Sequence, residues 1–422
     1  MGVRRVLSRL PSDVARATEE AQREYWGRVL AATLRLARDL DIAEEATADA
    51  FLLALQTWPG NGIPASVEAW LLTVARRRAV DRIRRAATLR ERLTEMAATE
   101  VTVIEGPERE FVESVLTDDE LRLVVLCCHP SLNTEAQVAL TLRLGCGATT
   151  SAIAAGFLVS EVTMAARLTR AKKRIASSGV DVELPDDRSI DDRMPVVRRA
   201  VQLAYTLGHT AASGTELRDD DLAARAVHLA RSLARARPED RENAGLLGLL
   251  LLSQARAGSR LDAAGDQVLL EDEDRSAWDG ISIAEGLRCT DFAMAATRAG
   301  SFALQAAIAA EHARSASFGA TDWSRIVDLY GRLLSLEPSP TIALGRSLAL
   351  SYEAGPAAGL ADLDEVMSVS QLDGYCYAHA ARAQLLDRIG RTHDARRAWV
   401  RAASTARTDA EREFFQTQAS RR

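Results

Sequence analysis

The stretch from Ala148 to Ser178, ATTSAIAAGFLVSEVTMAARLTRAKKRIASS, decides the fold of its part of the chain, because it has the pattern of a helix, a turn and a second helix. Apolar residues recur in the second helix at i, i+4, i+7 and i+11, which places them on one stripe. The stripe consists of Met164, Leu168, Ala171 and Ile175. The pattern therefore predicts a helix that is held by one apolar side.

The polar side of the same helix is basic. A second set of residues is offset by one position and lies about 100° around the helix. These residues are Thr163, Arg167, Arg170 and Arg174. Five basic residues and no acidic residue lie between Arg167 and Arg174. Such a helix fits a DNA major groove, and the alternative is a solvated basic face on an ordinary surface helix.

A second basic helix is predicted between Val67 and Arg92. Its apolar face is formed by Leu72, Ala75, Ala79 and Ile83, with Leu71 and Val74 beside it. Residues 76–92 have a net charge of +6 and residues 167–174 of the first basic helix add +5, although the whole chain has −6. Two basic clusters in an acidic chain indicate a protein that holds nucleic acid at two places.

Composition favours an all-α fold in two or three domains. The 422 residues are 47% hydrophobic, and strand-like alternation of β-branched and aromatic residues is nearly absent. The N-terminal sequence lacks the apolar run of a signal peptide, and no run of eighteen apolar residues follows. We therefore expect a cytoplasmic protein that spans no membrane.

No residue pattern predicts a metal, a cofactor or an enzyme. Cys127, Cys128 and His129 are adjacent and point about 100° apart on a helix, which favours core packing over one metal site. The acidic segment from Asp262 to Arg275 lacks the spacing of a calcium-binding EF-hand loop. His209 and Ser213 have no accompanying acid or oxyanion motif, and no glycine-rich phosphate loop occurs.

The predicted organisation follows turn signals and composition. We expect a tail at 1–17, a helical block at 18–87, a linker at 88–116, a second block at 117–180 and a helical C-terminal domain at 194–422. The sequence Pro59–Pro64 predicts a loop inside the first block. Near the C-terminus, Gly355 and Gly390 are 35 residues apart in the turns of two predicted hairpins. This spacing is close to the tetratricopeptide period of roughly 34 residues.

The two basic helices and the segments around them resemble regions 2 and 4 of sigma-70 factors. Asp41–Phe51 resembles the region 2 helix that docks on the polymerase clamp, and Ala69–Arg85 resembles the segment that melts and reads the −10 element. The helix that begins after Ser160 resembles the −35 reader of region 4. Two regions with a short linker are typical of extracytoplasmic-function, or group 4, sigma factors.

Further segments resemble one subgroup of that family, in which a tetratricopeptide-like helical domain follows region 4. The segments are Leu126–Pro130, Glu135–Arg143, Leu304–Ile308, Thr321–Trp323, Pro338–Pro340 and His379–Ala383. Ala48 stands where the family usually has Gln in the docking helix, and Arg77 stands where it usually has Asn in the −10 helix. The implied architecture is two small helical domains that bind DNA and polymerase, followed by a helical-repeat domain.

The resemblance also implies partners and site residues. The partners are the RNA polymerase core, through its β′ clamp and β flap, promoter DNA, and a regulatory protein or ligand on the C-terminal domain. The residues expected to bind core polymerase are Glu44, Glu45, Asp49 and Phe51. Those expected at the −10 element are Trp58, Trp70, Arg76, Arg77, Arg78, Asp81, Arg84 and Arg85. Those expected at the −35 element are Ser160, Glu161, Thr163, Arg167, Arg170, Lys173 and Arg174.

Two other classes of protein remain open from the residues. A helix-turn-helix regulator with a helical sensor domain would use one DNA-binding motif without serving as a polymerase subunit, and it would leave residues 40–85 unexplained. A scaffold protein would use its repeats to bind partners, and its basic helices would be incidental. Mixing the protein with core polymerase separates the sigma factor from these two classes, because only a sigma factor permits specific initiation.

Overall fold

The computed structural model describes residues 12–95, 116–157, 159–177, 187–209, 220–260, 268–369, 372–406 and 409–420. All regular elements in these ranges are helices, which confirms the all-α prediction. Much of the predicted tail and linker lies outside the described residues, as does the first part of the acidic segment at 262–275. The described helices form two compact units, which divide between residues 236 and 237.

The first unit contains nine described helices. They are α1 (Ser12–Ala37), α2 (Leu40–Asn61), α3 (Val67–Glu95), α4 (Leu116–Cys127), α5 (Thr134–Leu144), α6 (Thr150–Gly156), α7 (Glu161–Ser177), α8 (Asp187–His209) and α9 (Asp220–Ala236). Helices α1, α2 and α3 pack on one another. Asp39 begins α2 by accepting hydrogen bonds from the backbone N–H groups of Asp41 and Ile42 at 2.9 and 3.0 Å.

The prediction of a loop from Pro59 to Pro64 is wrong at its start. Helix α2 continues through Pro59 to Asn61 and ends at Gly62, whose φ of 82° is a conformation that favours glycine. Proline fits near a helix end because only one backbone hydrogen bond is lost there. The connection to α3 is therefore short, and it includes Ile63, which is 40% exposed.

The second part of this unit surrounds α5. Helix α5 packs on α4, α6, α7 and α8, while α4 also packs on α1. Gly147, in the turn between α5 and α6, has a φ of 63°, and a Cβ atom there would lie 3.1 Å from Cδ1 of Trp26 in α1. This close approach and the conformation both explain the glycine. The turn that precedes the α6–α7 pair is thereby fitted against the N-terminal helices.

Helices α8 and α9 belong to the first unit, although both lie largely within the range 194–422 that was predicted as a separate domain. They pack on each other, α8 also packs on α4 and α5, and α9 also packs on α1 and α4. Val197 and Leu229 are buried in these helices, at 0% and 1% exposure. The predicted C-terminal range therefore contributes to both compact units.

The second unit contains another nine described helices. They are α10 (Arg241–Ala255), α11 (Gly280–Met294), α12 (Ser301–Arg314), α13 (Trp323–Leu336), α14 (Pro340–Glu353), α15 (Pro356–Val369), α16 (Cys376–Arg388), α17 (Thr392–Thr405) and α18 (Asp409–Ser420). Consecutive helices pack together from α10 to α18. Gly355 and Gly390 occupy the predicted turns with φ values of 96° and 79°. Gly355 separates α14 from α15, and Gly390 separates α16 from α17, so each lies in the turn of a helical hairpin.

Within the described ranges, no single helix is long and apolar enough to cross a membrane; α6 and α7, bent by 105°, reach that length and hydropathy only when taken together. The same ranges contain no cluster of three or more His, Cys, Asp or Glu side chains that can hold a metal ion. Cys127 and Cys128 are buried at 0% and 1% exposure. Burial raises the pKa of both thiols, that of Cys128 to about 11.

Candidate nucleic-acid interface

Helix α7 presents one apolar side to the protein and one polar side to solvent. Its four-residue stripe, Met164, Leu168, Ala171 and Ile175, is buried at 0–5% exposure, as the spacing predicts. The hydroxyl oxygen of Ser160 accepts a hydrogen bond from the backbone N–H of Thr163 at 3.1 Å and so caps the start of the helix. Helices α6 and α7 meet at 105°, an angle typical of helix pairs that bind DNA.

Most of the residues predicted to read the −35 element lie on the solvent side of α7. Six of the seven are exposed: Ser160, Glu161, Thr163, Arg170, Lys173 and Arg174. Among the described residues, the hydrogen bond of the Arg170 side chain stays within its own helix, from Nε to the carbonyl oxygen of Ala166 at 3.2 Å. Its guanidinium plane is therefore available for a base edge or a phosphate.

Arg167 is the exception among these residues. Its side chain is 23% exposed and forms an ion pair with Glu135 of α5, with a distance of 3.0 Å between Nη1 and Oε2. The guanidinium carbon also lies 5.7 Å from the ring centre of Phe157. Arg167 must leave both partners before it can contact DNA, and the sequence pattern did not indicate either partner.

Helix α3 carries the second basic surface. The side chains of Arg76, Arg77, Arg78, Asp81, Arg84 and Arg85 are all exposed, so the predicted −10 residues of this helix face solvent. Leu71, Ala75 and Ala79 form the fully buried line of the helix, while Leu72 and Ile83 lie at its edges. The buried face of α3 is therefore centred on Leu71, Ala75 and Ala79 and is rotated slightly about the helix axis from the predicted face.

Trp58 does not fit its predicted role at the −10 element. It is 2% exposed and its ring contacts that of Trp70 edge to face, with 5.5 Å between the ring centres. A buried ring cannot stack on an unpaired base, so the structure assigns Trp58 to the core of the α1–α3 bundle. Trp70 is partly exposed.

The predicted polymerase-docking residues on α2 are in three different environments. Phe51 is buried at 6% exposure and packs on Trp26, so it lies on the apolar side of the helix. Glu45 and Asp49 both pair with Arg82 of α3, and the Asp49 Oδ2 atom lies 2.8 Å from Nη2. The hydrogen bond to Asp49 is the main reason that the pKa of Arg82 is raised.

Glu44 faces the second part of the same unit rather than solvent. Its side chain is 12% exposed and accepts hydrogen bonds from Arg143 of α5 at 2.7 Å and from Lys172 of α7 at 3.1 Å. Sequence reasoning missed both cations. Lys172 borders the apolar stripe, since it follows Ala171 and lies four residues after Leu168, and that position was the available signal.

Comparison with protein families gives two matches. Residues 22–88 match the model of sigma-70 region 2. Residues 193–294 match a family of unknown function, DUF6596. The first match contains α2 and most of the basic helix α3, and the second begins in α8 and ends with α11.

Similar proteins include one of nearly full length. An uncharacterized protein of Rhizobium meliloti is 39% identical over 394 residues, which are 92% of each chain. An ECF RNA polymerase sigma factor, SigK, of Mycobacterium sp. strain KMS is 38% identical over 24% of this chain and 51% of its own. The SigK of Mycolicibacterium vanbaalenii is 33% identical over 29% and 63%, respectively. No solved structure matches the chain.

Proposed function

We propose, from the premise that this chain belongs to the extracytoplasmic-function sigma factors of the sigma-70 family and has a helical C-terminal extension, that it binds core RNA polymerase and directs initiation at promoters with defined −10 and −35 elements. Such a role is non-enzymatic and is carried out in the cytoplasm. The chain would supply the promoter-reading surfaces, and the polymerase would supply the chemistry of RNA synthesis.

The observation that carries this proposal is the two-sided structure of α7. Four buried apolar residues fix the helix, and the opposite side exposes Thr163, Arg170 and Lys173 in the order expected of a helix in a major groove. In this assignment α6 and α7 form the helix-turn-helix of region 4. Base-edge contacts by Arg170 would give specificity, and the neighbouring cations would hold phosphates.

At the −10 element the exposed arginines of α3 would hold the backbone of the separating strands. Trp70 and the short connection that contains Ile63 would receive unpaired bases, because Trp70 is partly exposed on α3 and Ile63 is exposed just before it. Trp58 would support Trp70 from inside the core. In this proposal only Trp70 of the two tryptophans expected at the −10 element contacts DNA.

Glu45 and Asp49 on α2 are the proposed contacts to basic residues of the polymerase clamp. They are four residues apart, so they project from the same side of the helix, and Arg82 holds both carboxylates in place. Leu52, which is 51% exposed, lies on the same side and supplies an apolar contact. The tetratricopeptide-like helices of the C-terminal extension would bind a regulatory protein or ligand and would be required for transcription initiation.

Reconstitution of the full chain with core polymerase tests the proposal. The wild-type protein should form a holoenzyme and start transcripts at defined sites, whereas Glu45→Lys with Asp49→Lys should reduce core binding at least tenfold. The matched control is Asp328→Lys with Glu353→Lys, which changes charge equally at exposed positions of the second unit. Binding to DNA without any binding to core polymerase would instead favour the helix-turn-helix regulator.

A further inference from the structure

The side chain of Glu44 connects the two sigma-like parts of the first unit, which are helices α1–α3 and helices α4–α7. It belongs to α2, yet its carboxylate lies between Arg143 of α5 and Lys172 of α7, 99 and 128 residues away in the sequence. Lys172 is 18% exposed and also pairs with Asp41 at the start of α2. Four charged side chains therefore form one continuous network across this interface.

Neighbouring carboxylates favour the charged form of Lys172. Burial alone would lower the pKa of Lys172, but the hydrogen bonds and charges of Asp41 and Glu44 outweigh burial and raise it. A carboxylate that is 12% exposed needs a cationic or hydrogen-bonding partner. It does not need these particular cations, so basic side chains of another protein can replace them.

The network lies in a wider contact between the same two parts. Helices α4 and α9 pack on α1, and Gly147 brings the α5–α6 turn against Trp26. Glu44 is thus placed on the helix proposed to dock on polymerase, while Lys172 belongs to the helix proposed to read DNA. A clamp cation that approaches Glu44 meets a site that is already occupied.

We propose that Glu44 is an exchange site: in the free chain Arg143 and Lys172 occupy it and hold α5 and α7 against α2, and in the holoenzyme basic residues of the polymerase displace them. This inference rests on the proposed function and adds regulation to it. The closed arrangement lowers the fraction of chain that is competent to bind core polymerase, because the competent form must first release α7. Polymerase binding and release of the DNA-reading helix are then one coupled event.

The test is a charge-reversal cycle in the full chain, with the rate of association with core polymerase as the readout. Lys172→Glu places a third carboxylate beside Asp41 and Glu44 and should open the contact, which raises the rate at least about fivefold. Adding Asp41→Lys restores an opposite pair across the same interface and should return the rate to near the wild-type value. Neither side chain is among those proposed to touch polymerase or DNA, although Asp41 lies at the start of the helix proposed to dock on polymerase.

Two further variants make the cycle decisive. Arg396→Glu, an exposed residue of α17, makes the same charge change away from the interface and should leave the rate unchanged. Lys172→Met removes one cation without adding repulsion and should give a smaller increase in the association rate. This variant replaces Lys172→Glu in the test if Lys172→Glu fails to fold. Additive effects of Lys172→Glu and Asp41→Lys, or no acceleration by Lys172→Met, would overturn the exchange site. Absence of core binding by the wild-type chain would overturn the proposed function itself.

Discussion

Arg170 and Arg167 should contribute unequally to reading of the −35 element, because the structure gives them different partners. A bidentate contact between arginine and guanine discriminates against a wrong base by roughly 1–3 kcal/mol. Arg170 is exposed, and its hydrogen bond within the described part of the chain is to its own helix, so Arg170→Ala should lose most of that amount. Arg167 must first give up its ion pair with Glu135, which is worth up to about 1 kcal/mol when partly exposed.

Contact with the ring of Phe157 adds a further cost of about 0.5–1 kcal/mol for moving Arg167. The expected order of loss is therefore Arg170→Ala greater than Arg167→Ala. The same reasoning predicts that Glu135→Gln strengthens binding by up to about 1 kcal/mol, or about fivefold, because it releases Arg167 without removing any DNA contact.

The assay is competition between a duplex with the mapped −35 element and duplexes with single base changes, at one fixed salt concentration. Arg170→Ala should flatten the preference at one base pair. Lys173→Ala is the comparison for a phosphate contact and should weaken all duplexes about equally. If Arg170→Ala also weakens every duplex equally, Arg170 holds a phosphate and the assignment of base reading to it is wrong.

Three other predictions concern the architecture and its stability. Truncation after Ala236 should leave a first unit that unfolds cooperatively when followed by circular dichroism. Truncation after Gly179 removes α8 and α9 and should give a product that aggregates. Equal behaviour of the two truncated proteins would contradict the packing of those helices. Glu242→Ala should cost about 2–3 kcal/mol in urea unfolding, because the carboxylate accepts two backbone hydrogen bonds at 3.1 Å at the start of α12, whereas the exposed Glu239→Ala should cost almost nothing. Burial, with the charges of Arg256 and Arg275, lowers the pKa of His312 to about 4, so the unfolded chain binds more protons than the folded chain between about pH 6.5 and 4. The free energy of unfolding should therefore decrease by up to about 3 kcal/mol as the pH falls through that range. This pH dependence should be weaker in His312→Leu.

Helical periodicity was sufficient to predict the faces of several helices. Met164, Leu168, Ala171 and Ile175 are all buried, because a spacing of 3.6 residues per turn determines which side chains share a side. The hairpins around Gly355 and Gly390 were also predictable, since only glycine adopts those turn conformations easily. These features depend on local sequence alone.

The contacts of charged side chains were not predictable in the same way. Periodicity says that Lys172 borders an apolar stripe, but it does not say which helix covers that border. Glu44 reaches Lys172 from 128 residues away, and Arg167 reaches Glu135 through the packing of α5 on α7. The burial of Trp58 likewise depends on how α1 and α3 close over α2. Such pairings follow from the tertiary arrangement, which no single helix encodes.

The placement of α8 and α9 bears on how the C-terminal extension can act. The segment that matches DUF6596, residues 193–294, begins in α8 and continues into α10 and α11, so it supplies helices to both compact units. Within the first unit, α9 packs on α1 and on α4, which belong to the two different sigma-like parts. Helix α9 therefore connects α1 of one part with α4 of the other. Because α8 and α9 supply this packing, we expect the first unit to be less stable without them.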